Sequence, residues 1–198
     1  MRSVLIGIMS VIVVGLSGPG GSSVSAQDAD GWVTLFDGTH LNAFNQIGDA
    51  NWTIADGAVG ADSGGGHLVT RNAYDDFVLT LEFWVSPDAN SGIFLRASDP
   101  EMVSAENAYE VNIFDTRPDQ TYRTGGIVNV APPSSVITTG NRWNSYEITA
   151  EGPELTVVLN GTLVVDRARD ERLASGPVTF QYGAGTVRFR NIRIRPLS

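Results

Sequence analysis

Between Trp32 and Pro196 the apolar residues alternate with polar ones or gather in short runs, and no segment keeps the three-and-four spacing of an amphipathic helix. Gly or Pro interrupts the pattern about every ten residues, the spacing of an all-β sandwich or barrel. In "DFVLTLEFWV", Phe77, Leu79, Leu81 and Phe83 share one face of a strand, and Thr80, Glu82 and Trp84 share the other. In "SGIFLRA", Ile93 and Leu95 oppose Phe94 and Arg96. In "YEVNIFD", Tyr109, Val111 and Ile113 oppose Glu110, Asn112 and Phe114. The turns are equally legible. Asp56-Gly57 forms the tip of one hairpin and Asn160-Gly161 that of another, because both pairs tolerate the positive φ that a type I′ turn needs. Asn160-Gly161-Thr162 is also a glycosylation sequon, but the flanking strands already account for the pair. In "VRFRNIRIR" the apolar positions switch from odd to even numbers at Asn191, which predicts a bulge there.

One face of the middle strands carries the chemistry. Consecutive strands are usually neighbours, and on that basis Glu82, Trp84, Phe94, Arg96, Glu110 and Asn112 form one polar patch with aromatic side chains in its floor. Aromatic rings stack on sugar rings, and carboxylates and an arginine bind hydroxyls. A structural ion-pair network, with Arg96 as counter-ion of Glu82 and Glu110, is the equal alternative.

Composition narrows the classes. Met1 to Ala26 reads as a secretory signal peptide: Arg2, the apolar run "VLIGIMSVIVVGL", then small residues ending "VSA". Cleavage after Ala26 leaves residues 27–198 as a single exported domain, secreted or periplasmic, with no membrane segment of its own. The chain has no Cys, so disulfides and thiolate chemistry are excluded. It has no Lys either, which excludes a Schiff base. A formal net charge of -9 without a basic cluster argues against nucleic acid as a partner. The arginines of "RFRNIRIR" alternate with apolar residues and so line a solvated strand face. The Gly-rich "DSGGGHLVT" precedes no helix and is not a phosphate cradle, and His40 and His67 read as loop histidines. No compact metal-ligand motif is visible, and no cofactor is expected.

At these residues the chain resembles the 3-keto-disaccharide hydrolase domain family, built on a concanavalin A-like jelly roll. The resemblance rests on "GWVTLFDGTHLNAF", "NWTIADGAV", "HLVTRNAYDDFVLTLEFWV", "NSGIFLR", "YEVNIFD", "TGGI", "RWNSYEITAEGPELTVVLNG" and "VTFQYGAGTVRFRNIRIRPL", in that order. It implies a two-sheet antiparallel β-sandwich whose concave face binds a sugar or glycoside. Carried over by position, it implies Glu110, Arg96 and Asp115 as catalytic residues. Asn90, Asn112 and Gln181 join Glu82 and Trp84 as substrate-binding residues. Asn112 stands where the family usually has Gln. Gly183 stands where the family has a His two residues after its glutamine, and "TGGIVNV" lacks the usual Tyr.

The implied reaction starts from a ketone at C3 of the sugar, which acidifies the C2 proton. A carboxylate removes that proton, an arginine stabilises the enolate, and the C1 substituent leaves. Glu110 is then the base and Arg96 the stabiliser. Two functions follow: an exported enzyme acting on 3-keto-glycosides, or a non-catalytic carbohydrate-binding module. The Gly183 departure favours the module, and the retained charges Glu82, Arg96 and Glu110 favour the enzyme.

Overall fold

The computed structural model describes residues 27–197, so the expected leader and its cleavage point after Ala26 lie outside the described residues. The strands are β1 Val33–Phe36, β2 Phe44–Gly48, β3 Thr53–Ala55, β4 Ala58–Ala61, β5 Gly66–Tyr74, β6 Phe77–Val85, β7 Ser91–Leu95, β8 Tyr109–Ile113, β9 Trp143–Glu151, β10 Glu154–Leu159, β11 Thr162–Arg169, β12 Gly176–Tyr182 and β13 Val187–Pro196. A 3-10 turn at Gln120–Tyr122 is the only helical element among the described residues. The larger sheet runs β11-β10-β9-β6-β13-β4-β3, with β1 pairing on β13, and the smaller runs β2-β5-β12-β7-β8. All strand pairings are antiparallel. The protein is a two-sheet antiparallel jelly roll, as the alternation predicts.

The alternating positions meet in the middle of the sandwich. Phe77, Leu79, Leu81 and Phe83 of β6 face Ile93, Leu95, Val111 and Ile113 of β7 and β8 within one core. Phe180 of the small sheet packs edge-on against Phe44 at 5.7 Å and against Phe189 of the large sheet at 5.5 Å. Each such side chain contributes about 1.5–3 kcal/mol when fully buried, so a cysteine-free chain of this length holds together by packing. Tyr146 of β9 crosses the core and donates its hydroxyl to the Asn112 carbonyl at 2.7 Å, which pins β8 from beneath.

The predicted turns and bulge are present. Asp56 and Gly57 have φ of 52° and 72°, and Asn160 and Gly161 have φ of 51° and 76°. At Asn191, also left-handed, the β13–β6 register jumps from Arg190↔Glu82 to Arg193↔Thr80.

The expected adjacency of the three middle strands is not observed. β6 pairs with β9 and β13 in the large sheet, whereas β7 and β8 lie in the small one. The segment from Ser86 to Asn90 carries the chain from one sheet to the other. It runs beside the return crossing between β12 and β13: Ser86 N–H donates to the Thr186 carbonyl, and Thr186 N–H donates to Ser86 Oγ, both at 2.9 Å. Gly185 between them has φ of 76°, and a β-carbon there would stand 2.5 Å from Ser86 Oγ, so the crossing requires glycine.

Candidate active site

Leu68, Phe180, Ile93 and Val111 point into the core, so their neighbours along β5, β12, β7 and β8 point outward. The strand register places His67 opposite Gln181, Val69 opposite Thr179, Thr179 opposite Phe94, Phe94 opposite Glu110, and Gly92 opposite Asn112. The outer face of the small sheet therefore carries an imidazole, two amides, a hydroxyl and a carboxylate around one phenyl ring. The Phe94 ring is buried against Ala97, Ala108 and Val103, and it meets the His67 ring edge-on at 5.3 Å.

Glu110 leans over Gly92. A β-carbon at position 92 would lie 3.2 Å from Glu110 Cγ and Oε1 and 3.4 Å from the Phe94 ring. The missing side chain is thus the space that the carboxylate occupies over β7, next to the Phe94 ring. Among the described residues no hydrogen bond or ion pair holds the Glu110 carboxylate. Burial pushes it up to about 7, against the opposing pull of the Arg117 charge. Burial also lowers His67 to about 4, so its imidazole is neutral at physiological pH. His67 Nδ1 lies 3.1 Å from Thr179 Oγ1, and its other nitrogen has no protein partner and reaches solvent. An unpaired carboxylate that titrates near neutrality and a neutral imidazole donor are suited to moving a proton on a bound ligand.

Two further groups on this face are buried polar atoms without a hydrogen-bond partner among the described residues. Asn112 is fully buried, and its amide donates to the Tyr122 carbonyl at 2.5 Å. Its Oδ1 has no partner, and neither has the buried Oε1 of Gln181. Asn90 bridges to the crossing segment through its carbonyl, which accepts from Gly183 N–H at 3.0 Å and Ala184 N–H at 3.1 Å. A β-carbon at 183 would stand 3.1 Å from the Asn90 amide nitrogen and 2.9 Å from the Asn90 carbonyl oxygen, so Asn90 occupies the room that a histidine would need.

The other expected residues lie elsewhere. Glu82 and Trp84 are on the outer face of the large sheet, across the sandwich from Glu110. Glu82 accepts from Arg190 at 2.9 and 2.6 Å and from Asn191 at 2.6 Å, and Arg188 stacks over Trp84 at 5.5 Å. Arg96 is 1 % exposed with φ of 53°, and this left-handed turn takes it off the Phe94 face. Its guanidinium donates to the carbonyls of Asp75 at 2.8 Å, Gly152 at 2.7 Å and Leu173 at 3.1 Å, and pairs with Asp76 at 2.9 Å. It fastens three chain corners and touches neither Glu82 nor Glu110. Asp115 is saturated as well. It accepts from the Thr124 hydroxyl at 2.6 Å, the Thr139 hydroxyl at 3.1 Å, Thr139 N–H at 2.6 Å and Gly140 N–H at 3.2 Å. It clamps the loop that covers Asn112 and has no oxygen free for a substrate.

His67 and Thr179 lie on this face and Arg117 acts on the Glu110 charge, and none of the three is among the residues expected from the sequence. "GGGHLVT" places His67 one step before Leu68 and hence on the opposite face to that core residue, which was a usable signal. The Gly run before it made the segment read as loop, although β5 starts at Gly66. Among the described residues no cluster of three or more His, Asp or Glu is placed to hold a metal ion.

Comparison with known proteins fits this architecture. A crystal structure of a candidate glycosyl hydrolase from Parabacteroides distasonis superposes with a TM-score of 0.76 at 18 % identity, covering 86 % of this chain and 95 % of that one. A second from the same species gives 0.71 at 24 % identity, covering 84 % and 99 %. A family 66 carbohydrate-binding module from Bacillus subtilis gives 0.62 at 16 % identity, covering 77 % and 95 %. These likenesses establish the fold. A 3-keto-disaccharide hydrolase of Bacteroides thetaiotaomicron is 35 % identical over 85 residues, which are 36 % of this chain and 29 % of that protein, so the match spans less than a third of the relative. Residues 31–195 match the model of the 3-keto-alpha-glucoside-1,2-lyase-like domain, and the chain belongs to that family.

Proposed function

We propose that the protein cleaves 3-keto-glycosides by proton abstraction at C2 followed by elimination, on the outer face of the small sheet. The observation that carries this reading is Glu110: a carboxylate without a protein partner, pushed up to about 7, leaning over Gly92 on the sheet face that also carries a neutral imidazole. A base poised near neutrality best combines the right protonation state with proton-transfer strength. The 3-keto-disaccharide named for the relative supplies the substrate class.

In the proposed sequence ionised Glu110 takes the C2 proton, and the electron pair moves into an enolate at O3. The neutral imidazole of His67 donates to that oxygen, the role first assigned to Arg96. The C1–O bond then breaks, a C1=C2 double bond forms, and protonated Glu110 returns its proton to the leaving oxygen. Addition of water across C1=C2, with oxygen at C1 and a proton at C2, completes net hydrolysis. Gln181, half-buried opposite His67 in the strand register, binds a sugar hydroxyl, and fully buried Asn112 supports the face from beneath. Arg117 adds a positive field at the carboxylate side. The same reading keeps the protein exported, with residues 1–26 as leader, which N-terminal sequencing of the exported protein checks.

The test is aglycon release from a 3-keto-glucoside and from its non-oxidised parent. Release from the keto sugar alone is expected, and the Glu110→Gln variant should release none. If wild type binds the sugar and releases no aglycon, the carbohydrate-binding module is the correct function.

A further inference from the structure

We infer that Thr179 is a positioning residue that holds His67 in the tautomer with its proton on Nε2, so that the solvent-facing nitrogen is a donor. The inference rests on the proposed reading for its purpose, and on hydrogen-bond accounting for its content. Thr179 is fully buried on β12, with its hydroxyl 3.1 Å from His67 Nδ1. That hydroxyl makes no other hydrogen bond among the described residues. A buried hydroxyl left without an acceptor is costly. If Nδ1 carried the proton, it would donate to the threonine oxygen, and the threonine proton would be left without an acceptor. If Nδ1 is bare, the hydroxyl donates to it and both groups are satisfied. The imidazole proton then sits on Nε2, the nitrogen that has no protein partner and reaches solvent.

The ring has little freedom to escape this assignment. Phe94 meets one side of it edge-on, and burial keeps it neutral, so one nitrogen must be bare. The consequence for chemistry is specific. On this face Glu110 is the group that accepts the proton, and His67 is a donor that cannot act as a second base. A bound ligand must therefore present an acceptor, such as a ketone oxygen, to the imidazole.

The experiment is 15N NMR of the two histidines in the folded protein, alongside turnover of a 3-keto-glucoside. Exposed His40 serves as the internal reference. Wild type should show His67 protonated at Nε2 and bare at Nδ1 at pH 7. Thr179→Val should lose that preference and lower kcat while leaving KM nearly unchanged. The loss should lie between about tenfold and the ~10⁴-fold seen when a catalytic histidine is held in the wrong tautomer. Thr179→Ser should restore both the spectrum and kcat. A wild-type His67 protonated at Nδ1 would overturn the inference, as would a folded Thr179→Val protein that keeps the Nε2–H signature. If the wild type shows the expected tautomer and releases no aglycon, the positioning role stands and the proposed activity falls.

Discussion

Replacing Glu110 by Gln should make the protein more stable above neutral pH while it abolishes turnover. The carboxylate is pushed up from 4.5 to about 7 by burial. A raised folded-state value means that the folded protein holds this proton more tightly than the unfolded chain between those two pH values. Stability is therefore lost as pH rises through the window, with no penalty below about 4.5 and the full penalty above about 7. The shift corresponds to about 3 kcal/mol at most, and contact with water trims it toward about 2. Glutamine has the same shape without the charge. At pH 8 the variant should melt roughly 5–10 °C above wild type, taking about 2–4 °C per kcal/mol for a domain of this size. At pH 4.5 the two should coincide. Thermal melts at pH 4.5, 6 and 8 follow the difference directly, and wild-type kcat/KM should rise with a midpoint near pH 7. A variant that is destabilised at pH 8 would show that Glu110 belongs to a structural network. A difference that does not change with pH would show that the carboxylate is not buried as described.

Arg96→Met should do the reverse. It strands the carbonyls of Asp75, Gly152 and Leu173 and leaves Asp76 without its cation, at a cost of about 3–5 kcal/mol. Chemical denaturation should show that loss, and loss of turnover at unchanged stability would return Arg96 to the active site. Gly92→Ala places a β-carbon against the Glu110 carboxylate and should cut kcat with a change of no more than about 1 kcal/mol in stability; unchanged kinetics would remove Gly92 as the reason the carboxylate leans inward. Asp115→Ala should loosen the loop over Asn112 and raise KM more than it lowers kcat, and a fall in kcat alone would restore a chemical role for Asp115.

What the sequence disclosed follows from what period two can report. The faces of β6, β7 and β8, the I′ turns at Asp56-Gly57 and Asn160-Gly161, and the bulge at Asn191 are local consequences of alternation and of residues that tolerate positive φ. Alternation does not say which sheet a strand joins. β6 and β7 are separated only by Ser86 to Asn90, yet that segment changes sheets, and Glu82 and Trp84 go with β6. Nor does it survive a left-handed residue: Arg96 follows Phe94 by two positions and still leaves its face, because φ is 53° there. Glu110 and Asn112 keep the face that alternation predicts because each sits inside an unbroken strand, and Gln181, expected from the resemblance, lies on the outer face of the same sheet. His67 was obscured because its strand begins within a glycine run, and its partner Thr179 lies 112 residues away.

The central claim is that the bond to the aglycon breaks through loss of the C2 proton. It is tested most directly by turning over a 3-keto-glucoside in D2O and reading the C2 position of the released keto sugar by NMR, with the free keto sugar incubated alone as control. Elimination followed by hydration places solvent deuterium at C2 in each turnover, and Glu110→Gln should give neither product nor label. A released sugar that retains its C2 hydrogen beyond the control would mean that C1–O is cleaved directly, and the account of Glu110 as a C2 base would be wrong.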